Sequence, residues 1–220
     1  LYPRKDKNPD YAFAFKMVLN DQIAEAKVLD VIWSASKDGY LKPRIRIEPI
    51  ELGGVKIEYA TAFNAAYIEE KKLNLGAVVK IIRSGDVIPY ILEVVEPAKE
   101  GKMPDVAYQW NDTHIDIILE DKDQSEEVLE KNITIFFQTL KVKQLSEGTV
   151  RKLIKGGYRN TCKIIEMSKD DFLKIDGIQE KTATNLKTNI ETQIEKASLP
   201  LLMTASNKFE HGFGTKKFET

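Results

Sequence analysis

LKPRIRIEPIELGGVKIEYATAF, residues 41–63, is a stretch in which apolar and polar side chains alternate, as is typical of two antiparallel strands. In its first half Ile45, Ile47 and Pro49 alternate with charged residues, which predicts that these three face a core. Gly53-Gly54 then indicates a tight turn, because glycine adopts the positive φ angles that such turns require. The stretch therefore predicts a β-hairpin with one buried face.

Further elements flank this hairpin on both sides. Residues 27–36 have β character, and Lys37-Asp38-Gly39 is a turn signal between them and the hairpin. After the hairpin, residues 64–73 indicate a short helix with Asn64 as its N-cap, because an asparagine side chain accepts a hydrogen bond from a first-turn amide. The pattern so far is three strands followed by one helix.

A last hairpin lies in VVKIIRSGDVIPYILEVV, residues 78–95. Five short strands with tight turns, and one helix before the last pair, predict a five-stranded Greek-key barrel, the OB-fold, over residues 26–100. Two apolar runs flank the turn Arg83-Ser84-Gly85-Asp86. The pattern leaves two interpretations of this turn open: it only connects strands, or it carries Arg83 to a charged ligand.

The composition excludes several classes of protein. The 220 residues are 42% hydrophobic and 30% charged, and no run of 18 apolar residues occurs, so we expect a soluble chain with no membrane partner. The first ten residues lack the pattern of a signal peptide. A single cysteine fits a reducing setting, so we expect an intracellular, cytoplasmic protein. The chain has one cysteine, Cys162, and two histidines, His114 and His211. These residues are too few for an internal disulfide or for a zinc site of the usual ligands.

The rest of the chain, residues 132–220, indicates an all-α domain of short amphipathic helices. Ser168 and Asp171 resemble a capping box, which marks the start of one of them. We expect helices over residues 132–140, 147–157, 168–175, 180–197 and 199–209.

Charge is distributed unevenly along the sequence. Residues 103–135 carry nine acidic and two basic residues, whereas residues 136–220 carry ten acidic and fifteen basic ones. This pattern indicates an acidic connector over residues 101–131, ahead of a basic helical part that is compatible with nucleic-acid binding.

Three breaks between the helices share a form: Leu145–Gly148, Asp176–Lys181 and His211–Lys216. Each has an apolar residue within the turn and a basic residue shortly after it. A glycine turn that opens a helix exposes backbone N–H groups, which attract phosphate together with the helix dipole. The alternative is that these turns are ordinary helix caps in a bundle.

These motifs, in this order, resemble those of NAD-dependent DNA ligases. The resemblance is carried by YAFAFKM (11–17), by residues 37–95 with their Arg-x-Gly-Asp-x-Ile-Pro hairpin, and by IDGIQEKTATNL (175–186). It implies an α+β multidomain chain, with an OB-fold β-barrel followed by an all-α helix-hairpin-helix domain. It also implies that residues 1–25 are the end of an adenylation domain, and that residues 101–131 stand in place of a zinc module.

The resemblance implies roles for individual residues. Lys16 matches a catalytic lysine that contacts the adenylate phosphate, and Arg83 matches an arginine that meets the DNA backbone near the nick. Val87 and Ile88 match apolar residues that lie in the minor groove. Lys37 occupies a DNA-contact position where the family usually has arginine. In the helical part, three glycines match family hairpin glycines that approach DNA phosphates: Gly177, Gly212 and Gly214. Lys216 would add a basic contact to DNA.

The sequence also departs from the family pattern. Lys37-Asp38 replaces the usual Arg-Thr, and a lysine does not reproduce the two-pronged contact of arginine. Ala107 and Trp110 stand where the first two cysteines of a zinc module would be, so we expect no zinc. Ligases of some large DNA viruses are similar in this segment, which makes a viral source, and a host-cell location, one alternative.

No Lys-x-Asp-Gly occurs, so the resemblance implies that the adenylated lysine and the NAD site precede Leu1. We expect a fragment whose helical domain is truncated, inactive alone, monomeric, and bound to nicked double-stranded DNA. The complete enzyme would use NAD and Mg²⁺.

Two other functions fit parts of the pattern. A non-enzymatic DNA-structure binder, such as the bacterial Holliday-junction recognition protein, also couples an OB barrel to helix-hairpin-helix motifs. A single-strand binder would need stacking aromatics on the barrel, and Tyr40, Tyr59 and Phe63 are too few and too scattered in the sequence to argue for one.

Overall fold

The computed structural model describes residues 23–83, 88–209 and 213–219. The described chain divides into two units, each with its own hydrophobic core. The barrel unit contains residues 23–34 and 41–117, and the helical unit contains residues 35–40 and the chain from 118 onward. Within the described ranges, no helix combines the length and the apolar character needed to cross a bilayer.

Five strands form the barrel of the first unit, which confirms the predicted OB-fold. They follow the order β1-β4-β5-β3-β2, and a β1–β2 pairing closes the sheet on itself. The strands are β1 (Ile23–Ala35), β2 (Tyr40–Leu52), β3 (Val55–Thr61), β4 (Val78–Ile82) and β5 (Tyr90–Glu96), with helix α1 (Ala65–Glu70) between β3 and β4. The Asn64 side chain accepts a 2.9 Å hydrogen bond from the Tyr67 amide, so the predicted N-cap is confirmed.

The alternation along β2 changes phase at a bulge. Ile45 and Ile47 are buried as predicted, but Pro49 is exposed. The pairing of β2 with β3 shifts between Arg46 and Ile50, where β2 contains extra residues, so the side chains after the shift point the other way. The prediction that Pro49 faces the core was therefore wrong, because period-two counting cannot detect a bulge.

Part of the predicted acidic connector is a small hairpin. Strands β6 (Tyr108–Trp110) and β7 (Ile117–Leu119) add to the sheet beside β2. Between them the Asn111 side chain accepts hydrogen bonds from the amides of Ile115 (3.1 Å) and Asp116 (3.2 Å), and the Trp110 ring stacks on His114 at 3.9 Å. An asparagine-centred turn and an aromatic stack therefore hold this segment.

The second unit is helical. After a 3-10 turn, Lys122–Gln124, it contains α2 (Glu126–Thr139), α3 (Glu147–Lys155), α4 (Thr161–Glu166), α5 (Lys169–Leu173), α6 (Glu180–Lys196), α7 (Leu199–Ser206) and α8 (Thr215–Phe218). The short α4, which carries the exposed Cys162, and α8 were not predicted, and α2 begins earlier than residue 132. The capping box of Ser168 and Asp171 is confirmed.

Acidic residues of α2 form ion pairs with basic residues that follow it. The Arg151 guanidinium donates two hydrogen bonds to the Glu130 carboxylate, at 2.9 and 2.7 Å. Arg159 donates another to Glu126 at 2.7 Å. The acidic and basic segments of the sequence therefore partly neutralise each other within one unit.

Candidate nucleic-acid interface

Arg83 and Ile88 flank the tip of the β4–β5 hairpin. The Arg83 guanidinium lies over the β2–β3 turn, since a Cβ atom on Gly53 would be 3.3 Å from its Nη1. Ile88 is 71% exposed, which is unusual for an isoleucine and leaves its apolar surface open to a ligand. A cation and an exposed apolar side chain therefore stand at the two ends of the turn.

Lys37 lies in the segment 35–40, which belongs to the helical unit. Its amine makes an ion pair with Asp38 at 3.1 Å and a hydrogen bond with the Asn207 side-chain oxygen. Asn207 also donates hydrogen bonds to Asp38 (2.9 Å) and to Asn132 (3.0 Å), and Asn132 donates one to the Lys37 carbonyl (2.9 Å). Lys37 is therefore held in a polar cluster with Asp38, Asn132 and Asn207. The sequence did not predict that either asparagine belongs to this cluster.

The turn between α5 and α6 is the most developed of the predicted phosphate turns. Gly177 has a φ of +72°, a conformation that glycine adopts without strain. Ile175 and Ile178, on either side of the turn, are buried in the core of the helical unit. The turn is therefore anchored by its two isoleucines, with the glycine backbone between them.

The amides at the start of α6 have no side-chain cap. Its N-cap, Gln179, makes no capping hydrogen bond, whereas Ser125, Ser146 and Ser198 cap α2, α3 and α7 with their side chains. Of the described helices of eight or more residues, α6 alone lacks such a cap. Unfilled first-turn amides at the positive end of a helix dipole are a binding site for an anion.

A lysine of α3 adds positive charge at this turn. The amine of Lys152 lies 2.6 Å from the position that a Cβ atom on Gly177 would occupy. Lys152 could not be recognised from the sequence, because only the packing of α3 against the α5–α6 turn brings Lys152 and Gly177 together. Gly177, the start of α6 and Lys152 together form what we call the Gly177 turn site.

The remaining predicted residues are less informative. Gly214 precedes the four-residue helix α8 with nothing within 4 Å of an added Cβ, and Lys216 is exposed on that helix. Lys16, Val87 and Gly212 lie outside the described residues, so the predictions made for them stay predictions.

Local partners shift the pKa of several groups. The hydrogen bond from Lys102, 2.6 Å from Asp30, lowers the pKa of that carboxyl in the barrel unit. At the α5 capping box, hydrogen bonds from Lys174 and then from Ser168 lower the pKa of Asp171. Both carboxylates are therefore held in the charged form as structural partners of a lysine.

Residues 25–103 match the family model of the NAD-dependent DNA ligase OB-fold domain. The chain is 42% identical over 212 residues to the DNA ligase of Acanthamoeba polyphaga mimivirus, covering 96% of this chain and 33% of that protein. It is 31% identical over 191 residues to the DNA ligase of a Nitratiruptor species, covering 82% of this chain and 29% of that protein.

The barrel and its family match make residues 25–103 a DNA ligase OB-fold domain. Proteins named DNA ligase align with nearly the whole chain, from both viruses and bacteria. Residues 25–103 therefore belong to the OB-fold domain family of NAD-dependent DNA ligases, and the chain as a whole is similar to proteins named DNA ligase. It spans about a third of the length of these relatives.

Proposed function

We propose that this chain is the DNA-clamping part of an NAD-dependent DNA ligase that seals nicks in duplex DNA in replication and repair. The observation that carries the proposal is the Gly177 turn site, where uncapped amides of α6 and the amine of Lys152 converge. The complete protein would act in the cytoplasm, or in a host cell if its source is viral, and this part would bind DNA as a monomer.

The helical unit is proposed to be a helix-hairpin-helix domain, with α5, the Gly177 turn and α6 as its best-formed motif. A phosphate at this site would accept hydrogen bonds from the first amides of α6 and a charge-assisted bond from Lys152. Gly177 has no side chain, so the DNA backbone could approach closely. Such contacts hold the duplex without reading its sequence, so we expect little sequence preference.

The barrel is proposed to supply a second grip on the duplex. Arg83 would contact a phosphate near the nick, and Ile88, with Val87 before it, would lie in the minor groove. Lys37 would reach DNA only by exchanging its contacts with Asp38 and Asn207.

The domain limits that accompany this proposal are residues 1–25 for the end of the adenylation domain, 26–100 for the OB domain, 101–131 for the segment in place of the zinc module and 132–220 for the helical domain.

The chemistry of the complete enzyme would proceed by adenylyl transfer. NAD would adenylate a lysine, AMP would move to the 5′-phosphate of the nick, and the 3′-hydroxyl would then displace AMP. Lys16 is proposed to stabilise the charge at phosphorus during the transfer. Among residues 23–83, 88–209 and 213–219, no group of three or more His, Cys, Asp or Glu side chains could hold a metal ion.

The test is a comparison of DNA substrates by fluorescence anisotropy with the 220-residue chain. We expect a nicked duplex and an intact duplex to bind, and a four-way junction to bind no better than the duplex arms it contains. A strong preference for the junction would instead support the DNA-structure binder. Incubation with NAD that carries a label on its adenylate should leave no AMP on the chain. A stable adduct would contradict the proposal that this part binds DNA and does not itself accept AMP.

A further inference from the structure

A cavity of about 650 Å³ opens within the helical unit. Its wall is built from parts of the chain that are distant in the sequence: the turn at Lys37-Asp38, the turn at Lys122-Asp123, helix α2, the start of α4 and the residues that end and follow α7. The volume lies in the range of about 300 to 1,000 Å³ that is typical of sites for small molecules. The Gly177 turn site is elsewhere on the unit, since neither Gly177 nor Lys152 lines the cavity.

Much of the lining is apolar. The apolar side chains come from α2, from α4 and from the residue after Lys208, and they are Val128, Leu129, Ile133, Phe136, Ile165 and Phe209. Ile133 and Phe136 are only 2% and 9% exposed although they line the cavity, so this part of the lining is recessed. A ring system that enters the cavity would therefore bury apolar surface of its own, which favours binding.

The polar part of the lining is held in place by its own hydrogen bonds. The polar cluster of Lys37, Asp38, Asn132 and Asn207 lies in the cavity wall, with Asn207 bonded to both Asp38 and Asn132. At the start of α4, the Asn160 side chain accepts a 2.7 Å hydrogen bond from the amide of Cys162. The wall is thus formed before any ligand arrives, and little ordering has to accompany binding.

The lining also has an excess of positive charge. It contains four basic and two acidic side chains: Lys37, Lys122, Arg159 and Lys208, with Asp38 and Asp123. Lys37 pairs with Asp38, and Arg159 pairs with Glu126. Within the part of the chain that the structure describes, the exposed amines of Lys122 and Lys208 have no hydrogen-bond or ion-pair partner. Two unengaged amines beside the carboxylate of Asp123 favour an anionic group over a cationic one.

We propose that this cavity binds a small organic anion, a molecule with an apolar ring system and one carboxylate, sulfonate or phosphate group. The ring system would lie against Phe136, Ile165 and Phe209, and the anionic group would pair with Lys122 and Lys208. Charge complementarity sets this class of ligand, because a neutral molecule would leave both amines without a partner and a cation would be repelled. The proposal goes beyond the duplex clamp, since it concerns other residues and another kind of ligand.

The test uses anilinonaphthalene sulfonate, an aromatic anion whose fluorescence rises in an apolar site, with the 220-residue chain. We expect saturable binding of one dye per chain. Lys122→Glu and Lys208→Glu should each weaken it about tenfold, because an attractive contact becomes a repulsive one. The matched control is Lys155→Glu, which makes the same change of charge at an exposed lysine of α3 outside the cavity and should leave the affinity unchanged.

Two further measurements test the charge and the location of the bound dye. Naphthalene sulfonate should displace the dye at least about tenfold better than naphthylmethanol, which has the same ring system without the charge. Cys162 is exposed and lines the cavity, so saturating dye should slow the reaction of its thiol with a disulfide reagent. Equal displacement by the two compounds, or an unchanged rate of thiol reaction, would overturn the proposal.

Failure of this proposal is distinguishable from failure of the duplex clamp. Lys152→Ala should weaken duplex binding and leave the affinity for the dye unchanged, because Lys152 does not line the cavity. Absence of saturable dye binding, or equal affinities of the unchanged chain and both glutamate variants, would overturn the cavity proposal and leave the duplex clamp as it stands. Lys122 and Lys208 are exposed, so both variants keep the hydrophobic core of the unit intact.

Discussion

The amine of Lys152 and the backbone of Gly177 face each other so closely that a Cβ atom on the glycine would be 2.6 Å from Nζ. The lysine belongs to α3 and the glycine to the turn before α6, so the two meet only through tertiary packing. The contact places a cation at the turn that precedes the uncapped amides of α6. One turn thereby combines backbone donors, a helix dipole and a full positive charge.

Lys152→Ala should weaken duplex binding and make the log–log salt dependence shallower by roughly one unit, because one phosphate contact is lost. The matched control is its neighbour, Arg151→Ala, since the Arg151 guanidinium is already engaged by Glu130. Anisotropy titrations at several salt concentrations measure both variants. Equal salt slopes for the Lys152→Ala variant and the unchanged chain would remove Lys152 from the interface.

Gly177→Ala should lower both stability and duplex affinity. An alanine at a φ of +72° costs about 1 kcal/mol, and its methyl group would push the Lys152 amine away. Gly157→Ala is the matched control: its φ is +94°, so an alanine is strained there too, but no atom lies within 4 Å of its added Cβ. Thermal unfolding of both variants measures the cost of backbone strain, and duplex titration measures the loss of the DNA contact. Equal DNA affinities of the two variants would mean that the Gly177 turn is only structural.

Arg83→Ala should reduce the affinity for duplex DNA equally across sequences, with a salt slope shallower by roughly one unit. Lys80→Ala, on β4 of the same hairpin, is the control, because its amine pairs with Glu93 at 2.9 Å. An unchanged salt slope for Arg83→Ala would assign Arg83 a structural role over the β2–β3 turn instead.

Asn207→Gly should destabilise the helical unit, because it removes the hydrogen bonds to Asp38 and Asn132 while keeping a residue suited to a φ of +51°. Each lost hydrogen bond is worth about 1 kcal/mol. Asn207→Ala should cost about 1 kcal/mol more, since alanine is strained in the left-handed region. Urea unfolding followed by circular dichroism measures both; identical midpoints for Asn207→Gly and the unchanged chain would mean that the cluster adds no stability.

The ion pair of Asp30 and Lys102 predicts a pH dependence. The pKa of Asp30 is lower in the folded chain than its ordinary value of 3.8, so its contribution to stability is present above that pH and is lost as the pH falls through the folded pKa. Asp30→Asn should therefore unfold at a lower temperature than the unchanged chain near neutral pH, and the difference should shrink below pH 3.8. A difference that stays constant down to pH 2 would exclude this carboxyl as the source.

The barrel could largely be predicted from the sequence, because its strands alternate and its turns contain glycine. Pro49 shows where that reasoning fails, since the bulge in β2 depends on pairing with β3. The acidic connector shows another limit: the hairpin of β6 and β7 is short, and an asparagine turn and a Trp–His stack stabilise it instead of a regular apolar pattern.

The candidate site was predicted in part. The sequence indicated the Gly177 turn through its glycine and the helix after it. Lys152, Asn132 and Asn207 could not be recognised, because each acts through a partner distant in the sequence. Segment charge was also misleading, since Arg151 and Arg159 are offset by glutamates of α2.

Cys162 is the one cysteine of the chain, and it is exposed on α4. A maleimide dye would therefore attach at a single defined position without any prior removal of competing thiols. Energy transfer from a fluorophore on a DNA end to that dye would report the polarity with which the helical unit engages an asymmetric nicked substrate.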